Sequence, residues 1–240
     1  MPIDRSQLLV ALKAVQSVYD PTTTSVRTGK VIEPLHEYCA YELRRATHSG
    51  RQLPLAYIHP APPVTTSQAK RRIRGATTRT PKRLRILGAY MPKEIDVALV
   101  PPNTGPLLAV SCKSQMSSII KNTINRFEEY VGDATNLHTR FPMLVFGFLM
   151  LVPAVDETWR GGKPTDGLRR IAALLERANA REKSDEPPGG YDASALLFVD
   201  FRTTPPRLMP FPDPKTQPTL RIENFFDRLV QLYFERNQFV

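Results

Sequence analysis

Cysteine is almost missing from this chain. Cys39 and Cys112 are the only two in 240 residues, and their separation matches no metal-ligand spacing. Such a pair builds neither a disulfide framework nor a thiolate zinc site, and two free thiols in a reducing, cytoplasmic compartment are expected. Histidine is nearly as sparse: His36, His48, His59 and His138 form no His-x-x-x-His or His/Cys pairing, so a zinc centre is not supported. Long apolar runs are lacking. The longest, MLVFGFLMLVP, is too short to span a bilayer as a helix, and the opening MPIDRSQLL carries an acid and no apolar run, so no secretory signal is expected. There is no glycine-rich phosphate loop, because Gly161-Gly162 and Gly189-Gly190 lack the helix signature that would follow one; no nucleotide cofactor is expected.

The most informative absence is of negative charge. Between Glu42 and Glu94 there is no Asp or Glu, while twelve Lys and Arg fall in the same interval. That exceeds the net +10 of the whole chain, so the remainder is slightly acidic. The densest part holds Lys70, Arg71, Arg72, Arg74, Arg79, Lys82, Arg83 and Arg85, with Thr77, Thr78 and Thr80 among them. A concentrated positive field interleaved with hydroxyl donors suits a phosphate backbone, where counterion release supplies affinity without reading sequence. Double-stranded DNA is the expected partner. The segment has few large apolar anchors, which argues against a membrane surface.

What remains is ordinary for a globular protein: 41% hydrophobic and 23% charged residues, at a length that fits one domain, 1–240, with a proper core. Leu8, Leu9, Leu12, Val15 and Val18 predict a helix over 4–19, and Leu35, Tyr38, Cys39 and Leu43 a second over 31–45. Strands are expected at 84–90, 95–100 and 107–112, with PPNTGP as the turn between the last two. A helix follows from SSIIKNTINRFEEYVGDATNL, its buried stripe expected at Ile120, Ile124, Phe127 and Val131. FPMLVFGFLMLVP reads as a central strand covered on both faces. A helix over 166–181, the strand SALLFVDFR and a last helix over 222–237 complete an α/β fold with a mixed sheet flanked by helices.

One strand breaks its own pattern. LLAVSCKSQ, residues 107–115, runs apolar and then delivers Ser111, Cys112 and Lys113. In an extended chain Ser111 and Lys113 project to one face and Cys112 to the other. If this strand pairs antiparallel with its predecessor, Asp96 of EIDVAL comes beside the Ser111/Lys113 end. A carboxylate that holds a hard cation and an ammonium that steadies water or developing charge are the parts of a phosphodiester-cleaving site.

These residues resemble the PD-(D/E)xK nuclease superfamily, the restriction-endonuclease-like fold. IDVAL, a turn, LLAVSCKSQ and then a helix match the order of that core over residues 31–152. The resemblance implies that Asp96 binds Mg²⁺, that Lys113 is catalytic and that the Cys112 carbonyl is a further metal ligand. Gln115 falls where many members carry glutamine. Ser111 departs from the pattern, since the usual member has Glu or Asp there. Some restriction enzymes of the superfamily also carry Ser-x-Lys and take the missing glutamate from the following helix, where this chain offers Glu128 and Glu129. Glu128, flanking the expected core stripe, is the choice, with Glu129, Glu33 and Glu37 in reserve.

The function so implied is a type II-like restriction endonuclease on double-stranded DNA, using Mg²⁺ and forming a homodimer if its target is symmetric. A catalytically inactive, DNA-binding relative is the alternative.

Overall fold

The computed structural model describes residues 2–19, 30–60, 84–179, 181–213, 215 and 217–237. Helix α1 (Arg5–Val18) opens on Asp4, whose Oδ1 accepts from the backbone N–H groups of Ser6 and Gln7 at 3.0 and 3.1 Å. That satisfies two donors left unpaired at a helix start. Helix α2 (Glu33–Arg45) follows, burying Leu35, Tyr38, Cys39 and Leu43. A short hairpin, β1 (Thr47–His48) and β2 (Arg51–Gln52), leads to β3 (Ile58–His59).

Beyond residue 83 come β4 (Leu84–Leu87), β5 (Pro92–Ile95), β6 (Val97–Leu99) and β7 (Leu108–Ser114). Helix α3 (Ile119–Arg140) then crosses to β8 (Val145–Pro153). The small hairpin β9 (Trp159–Arg160) and β10 (Lys163–Pro164) precedes α4 (Asp166–Ala178). The chain closes with β11 (Ala193–Asp200), β12 (Arg207–Leu208) and α5 (Ile222–Arg236).

Six of these strands form one mixed sheet in the order β12-β11-β8-β7-β6-β3. Strands β7, β8 and β11 are parallel, and the outer pairings are antiparallel. Helices cover both faces. Leu12 of α1, Leu35 of α2 and Phe225 of α5 pack with Val97, Val110, Leu149 and Leu197 on one side. Tyr130 of α3 and Ile171 of α4 pack with Ala109, Phe148 and Phe198 on the other. Every residue of β8 and β11 is buried, as expected of parallel strands sandwiched between helices. At Gly147 a Cβ would lie 2.9 Å from Leu229 and Phe225, so glycine is what lets α5 seat against β8. Among the described residues no helix is long and apolar enough to cross a membrane.

The strand expected over 84–90 stops at Leu87. Residues 88–91 turn, and the chain returns as β5 antiparallel to β4. The cause is Asn136 on α3, a buried amide that reads this turn completely. Its Oδ1 accepts from the Tyr90 and Met91 N–H groups at 2.9 and 3.2 Å, and its Nδ2 donates to the Met91 carbonyl at 2.9 Å. A Cβ at Gly88 would fall on that amide. Gly88→Ala is therefore expected to displace Asn136 and cost roughly 1–3 kcal/mol, read as a lower urea midpoint; an unchanged midpoint would mean that the amide does not hold the turn.

At the amino ends of β8 and β11, beside the same end of α3, Asp192 precedes β11 with a fully buried carboxylate. Its oxygens accept from Arg236 Nη2 at 2.7 Å, Arg181 Nη1 at 3.1 Å and the Phe146 N–H at 2.7 Å, and His138 Nε2 stands 3.1 Å away. One anion thus ties α3, β8, α5 and the loop after α4.

Candidate active site

Strand β6 pairs antiparallel with β7, Val97 opposite Val110, so the next step back along the ladder brings Asp96 opposite Ser111. Asp96 sits at the bend between β5 and β6, where its carboxylate finishes the ladder in place of a backbone carbonyl: Oδ2 accepts the Cys112 N–H at 2.8 Å. An extended residue sends its N–H and C=O to the same neighbour, so the Cys112 carbonyl also points to the Asp96 side. His36 on α2 was set aside in the sequence because it pairs with no other ligand-type residue. Its Nε2 lies 3.5 Å from Asp96 Oδ1, and both residues are buried. The available signal was its place on the buried side of α2, beside Leu35 and Cys39.

Strand alternation sends Cys112 and Lys113 to opposite faces. Cys112 meets Cys39 of α2, Sγ to Sγ 3.7 Å, with both thiols free and burial pushing the Cys112 thiol up. The two cysteines, 73 residues apart, are neighbours in space, which spacing along the chain does not reveal.

Lys113 emerges on the α3 face at the carboxyl end of a parallel strand, where open α/β sheets usually place their sites. There it meets Glu129, Nζ to Oε1 3.9 Å. Glu128 does not take this position: it lies exposed on the outer side of α3. The buried stripe of α3 runs through Ile119, Thr123, Tyr130, Asp133, Ala134 and Leu137, while Ile120 and Ile124 are 37% and 39% exposed. The helix is thus rotated by about one residue from the expected phase, and one residue is 100° on a helix. That rotation exchanges the roles of Glu128 and Glu129. On α2, Glu33 is partly buried and Glu37 is exposed.

Around Glu129 the charges are arranged in pairs. Arg126 Nη1 donates to Glu129 at 2.6 Å, and Lys93 of β5 pairs with Asp133 at 2.6 Å. Burial alone would raise the Glu129 carboxyl, but the Arg126 hydrogen bond and the Lys113 charge outweigh it and hold it low. Asp133, one turn further on, goes the other way: burial pushes its carboxyl up, with Lys93 pulling against it. Two carboxyls on one helix face are driven apart in this way, a pattern frequent where acid–base roles divide. Lys113, Glu129 and Asp133 border a pocket of about 510 Å³, open mouth included, whose other walls include Phe127, Phe148, Met150 and Leu175. Apolar walls of this kind strengthen any charge interaction made beside them. Gln115 also lines it; its Nε2 donates to the Ile119 carbonyl at the start of α3, and its Oε1 has no protein partner.

No family profile, curated protein or solved structure matches this chain.

Among the described residues no three His, Cys, Asp or Glu side chains are grouped to hold a metal ion. The oxygen donors nearest the end of β7 are the Asp96 carboxylate at the Cys112 N–H, the Cys112 carbonyl on that same side, and, at Lys113, the Glu129 carboxylate. All are hard oxygens, and the two thiols face away. Magnesium is commonly bound through one or two carboxylates while it keeps several waters, so the donor chemistry fits Mg²⁺. Of the basic residues expected to grip DNA, Lys70, Arg71, Arg72, Arg74, Arg79, Lys82 and Arg83 lie outside the described residues. Arg85 stands exposed on β4.

Proposed function

We propose that the protein is a Mg²⁺-dependent endonuclease that hydrolyses phosphodiester bonds of double-stranded DNA, with a restriction-endonuclease-like core and a type II-like restriction role. Support comes from the element order: α2, the antiparallel succession β4 to β7, and α3 crossing to β8 parallel to β7. The observation that carries the reading is the rim of the β6–β7 pair, where Asp96 accepts from Cys112 and the next residue, Lys113, meets a helix carboxylate.

In this reading Asp96, Glu129 and the Cys112 carbonyl are the Mg²⁺ ligands, and the bound ion would acidify a water and neutralise charge on the phosphate. Lys113 donates to the attacking water and to the charge that grows on the phosphoryl oxygens. His36 orients the Asp96 carboxylate. Arg85 and the acid-free segment before it bind backbone phosphates, and a two-fold symmetric target would call for a homodimer. The second reading, a DNA-binding protein without hydrolysis, is favoured by one observation: buried Ser111 contributes no charge where a metal-binding acid would stand.

Supercoiled plasmid and phage DNA incubated with the protein and Mg²⁺ separate the two. Nicked or linear product is expected from the wild type and none with EDTA, and Lys113→Ala should slow cleavage by about 10²–10³-fold. Intact DNA in every tube, with binding retained, would leave the second reading standing.

A further inference from the structure

The turn between β4 and β5 is held by α3 on its backbone side and bare on its side-chain side. The Ala89 N–H donates to the Asn136 carbonyl at 2.9 Å, and Arg140 Nη1 donates to the Gly88 carbonyl at 3.3 Å, in addition to the three bonds made by the Asn136 side chain. Yet Leu87, Tyr90 and Met91 are 54%, 70% and 59% exposed. Tyr90 is the most exposed of the large hydrophobic residues described. A single apolar side chain in water needs no explanation; three on one fixed turn mark a contact surface. Charge around the turn selects the partner. Residues 43–93, which include β4 and the turn, contain no acid and twelve cations, seven of them outside the described residues. At the turn itself Arg140 reaches the Gly88 carbonyl and Arg85 stands exposed on β4. The first acid after it is Glu94, opposite Arg85 on β5. Such a positive field draws a polyanion, and among polyanions a duplex also offers the flat faces of its bases to an exposed aromatic ring.

We propose that this turn is a wedge that enters the base stack of duplex DNA, Tyr90 and Met91 lodging between base pairs while Arg140 and Arg85 hold the phosphates. The proposal rests on the reading of this protein as one that acts on DNA, and it adds how the duplex is deformed. Apolar side chains set between base steps unstack them and kink the helix, and an aromatic ring stacks on any base. A turn already fixed by Asn136 loses little freedom on insertion. Strand β5 runs from this turn directly to Asp96, about 20 Å along an extended chain, so a kink made at the tip opens DNA beside Lys113.

The test uses the full-length protein in EDTA, so that no cleavage intervenes. Closed-circular plasmid is relaxed by a metal-independent topoisomerase with and without the protein, and affinity for mixed-sequence linear DNA is measured across a salt series. The wild type is expected to change the linking number. Tyr90→Ala/Met91→Ala should abolish that change and weaken binding about tenfold, with the salt slope and melting temperature unchanged because both side chains lie in water. Wild-type binding without a linking-number change, or a double variant identical to wild type, overturns the wedge and leaves DNA binding intact. Failure of the wild type to bind duplex at all overturns both, and binding confined to single-stranded RNA does the same.

Discussion

Glu129→Gln is expected to slow plasmid cleavage by about a hundredfold or more, whereas Glu128→Gln should cut at the wild-type rate. The two residues are adjacent in sequence and 100° apart around the helix. Glu129 stands 3.9 Å from Lys113 and is fixed by Arg126, while Glu128 faces solvent. Glutamine keeps the length and shape of the side chain and removes its charge, so a lost rate reports the carboxylate and not the packing. Neither side chain is buried, and both variants should melt as the wild type does. The check is the initial rate of supercoiled-to-nicked conversion with Mg²⁺ in excess. Equal rates in the two variants would remove the helix acid from the mechanism; loss in Glu128→Gln alone would move the site to the outer side of α3.

That pair also shows where sequence reading succeeds and where it slips. The order of helices and strands after residue 83 was legible because apolar repeats of the right period dominate each element. FPMLVFGFLMLVP could hardly be anything but a strand covered on both faces. The phase of α3 was not legible. Its buried side carries Thr123, Asp133, Asn136 and His138, and a stripe drawn from apolar residues alone cannot count them. Each is buried for a hydrogen bond or ion pair: Thr123 to the Ile119 carbonyl, Asp133 to Lys93, Asn136 to the turn after β4, His138 to Asp192. Leaving them out rotated the helix by one residue and put Glu128 where Glu129 meets Lys113. The 84–90 strand failed for the same reason, since its end is set by an amide almost fifty residues downstream. The placement of Asp96 beside the end of β7 was readable because its signal is local: charges where two adjoining apolar strands have no need of them. His36 meets Asp96 across the fold, and its place on the buried side of α2 signals a partner without saying which.

Asp192→Asn should lower stability by about 3–5 kcal/mol, the cost of breaking a buried ion pair and leaving its cations behind. Arg181 and Arg236 are nearly as buried as the carboxylate that neutralises them. Burial by itself would raise the Asp192 carboxyl, but His138 and Arg236 outweigh it and hold it below the ordinary value. A carboxyl whose folded pKa is depressed favours the fold most where the unfolded chain would also be ionised. Its contribution is therefore complete above the unfolded value of about 3.9, and it fades as pH falls from there through the lower folded value. Urea midpoints for wild type and variant should differ most near neutrality and converge as the pH is taken below about 4. Because this anchor lies at the amino ends of β8 and β11, away from the Lys113 rim, any activity measured on the folded fraction should be that of the wild type. A gap in midpoint that persists undiminished into strong acid would show that the carboxylate charge is not what holds α3, α5 and the sheet together at that end.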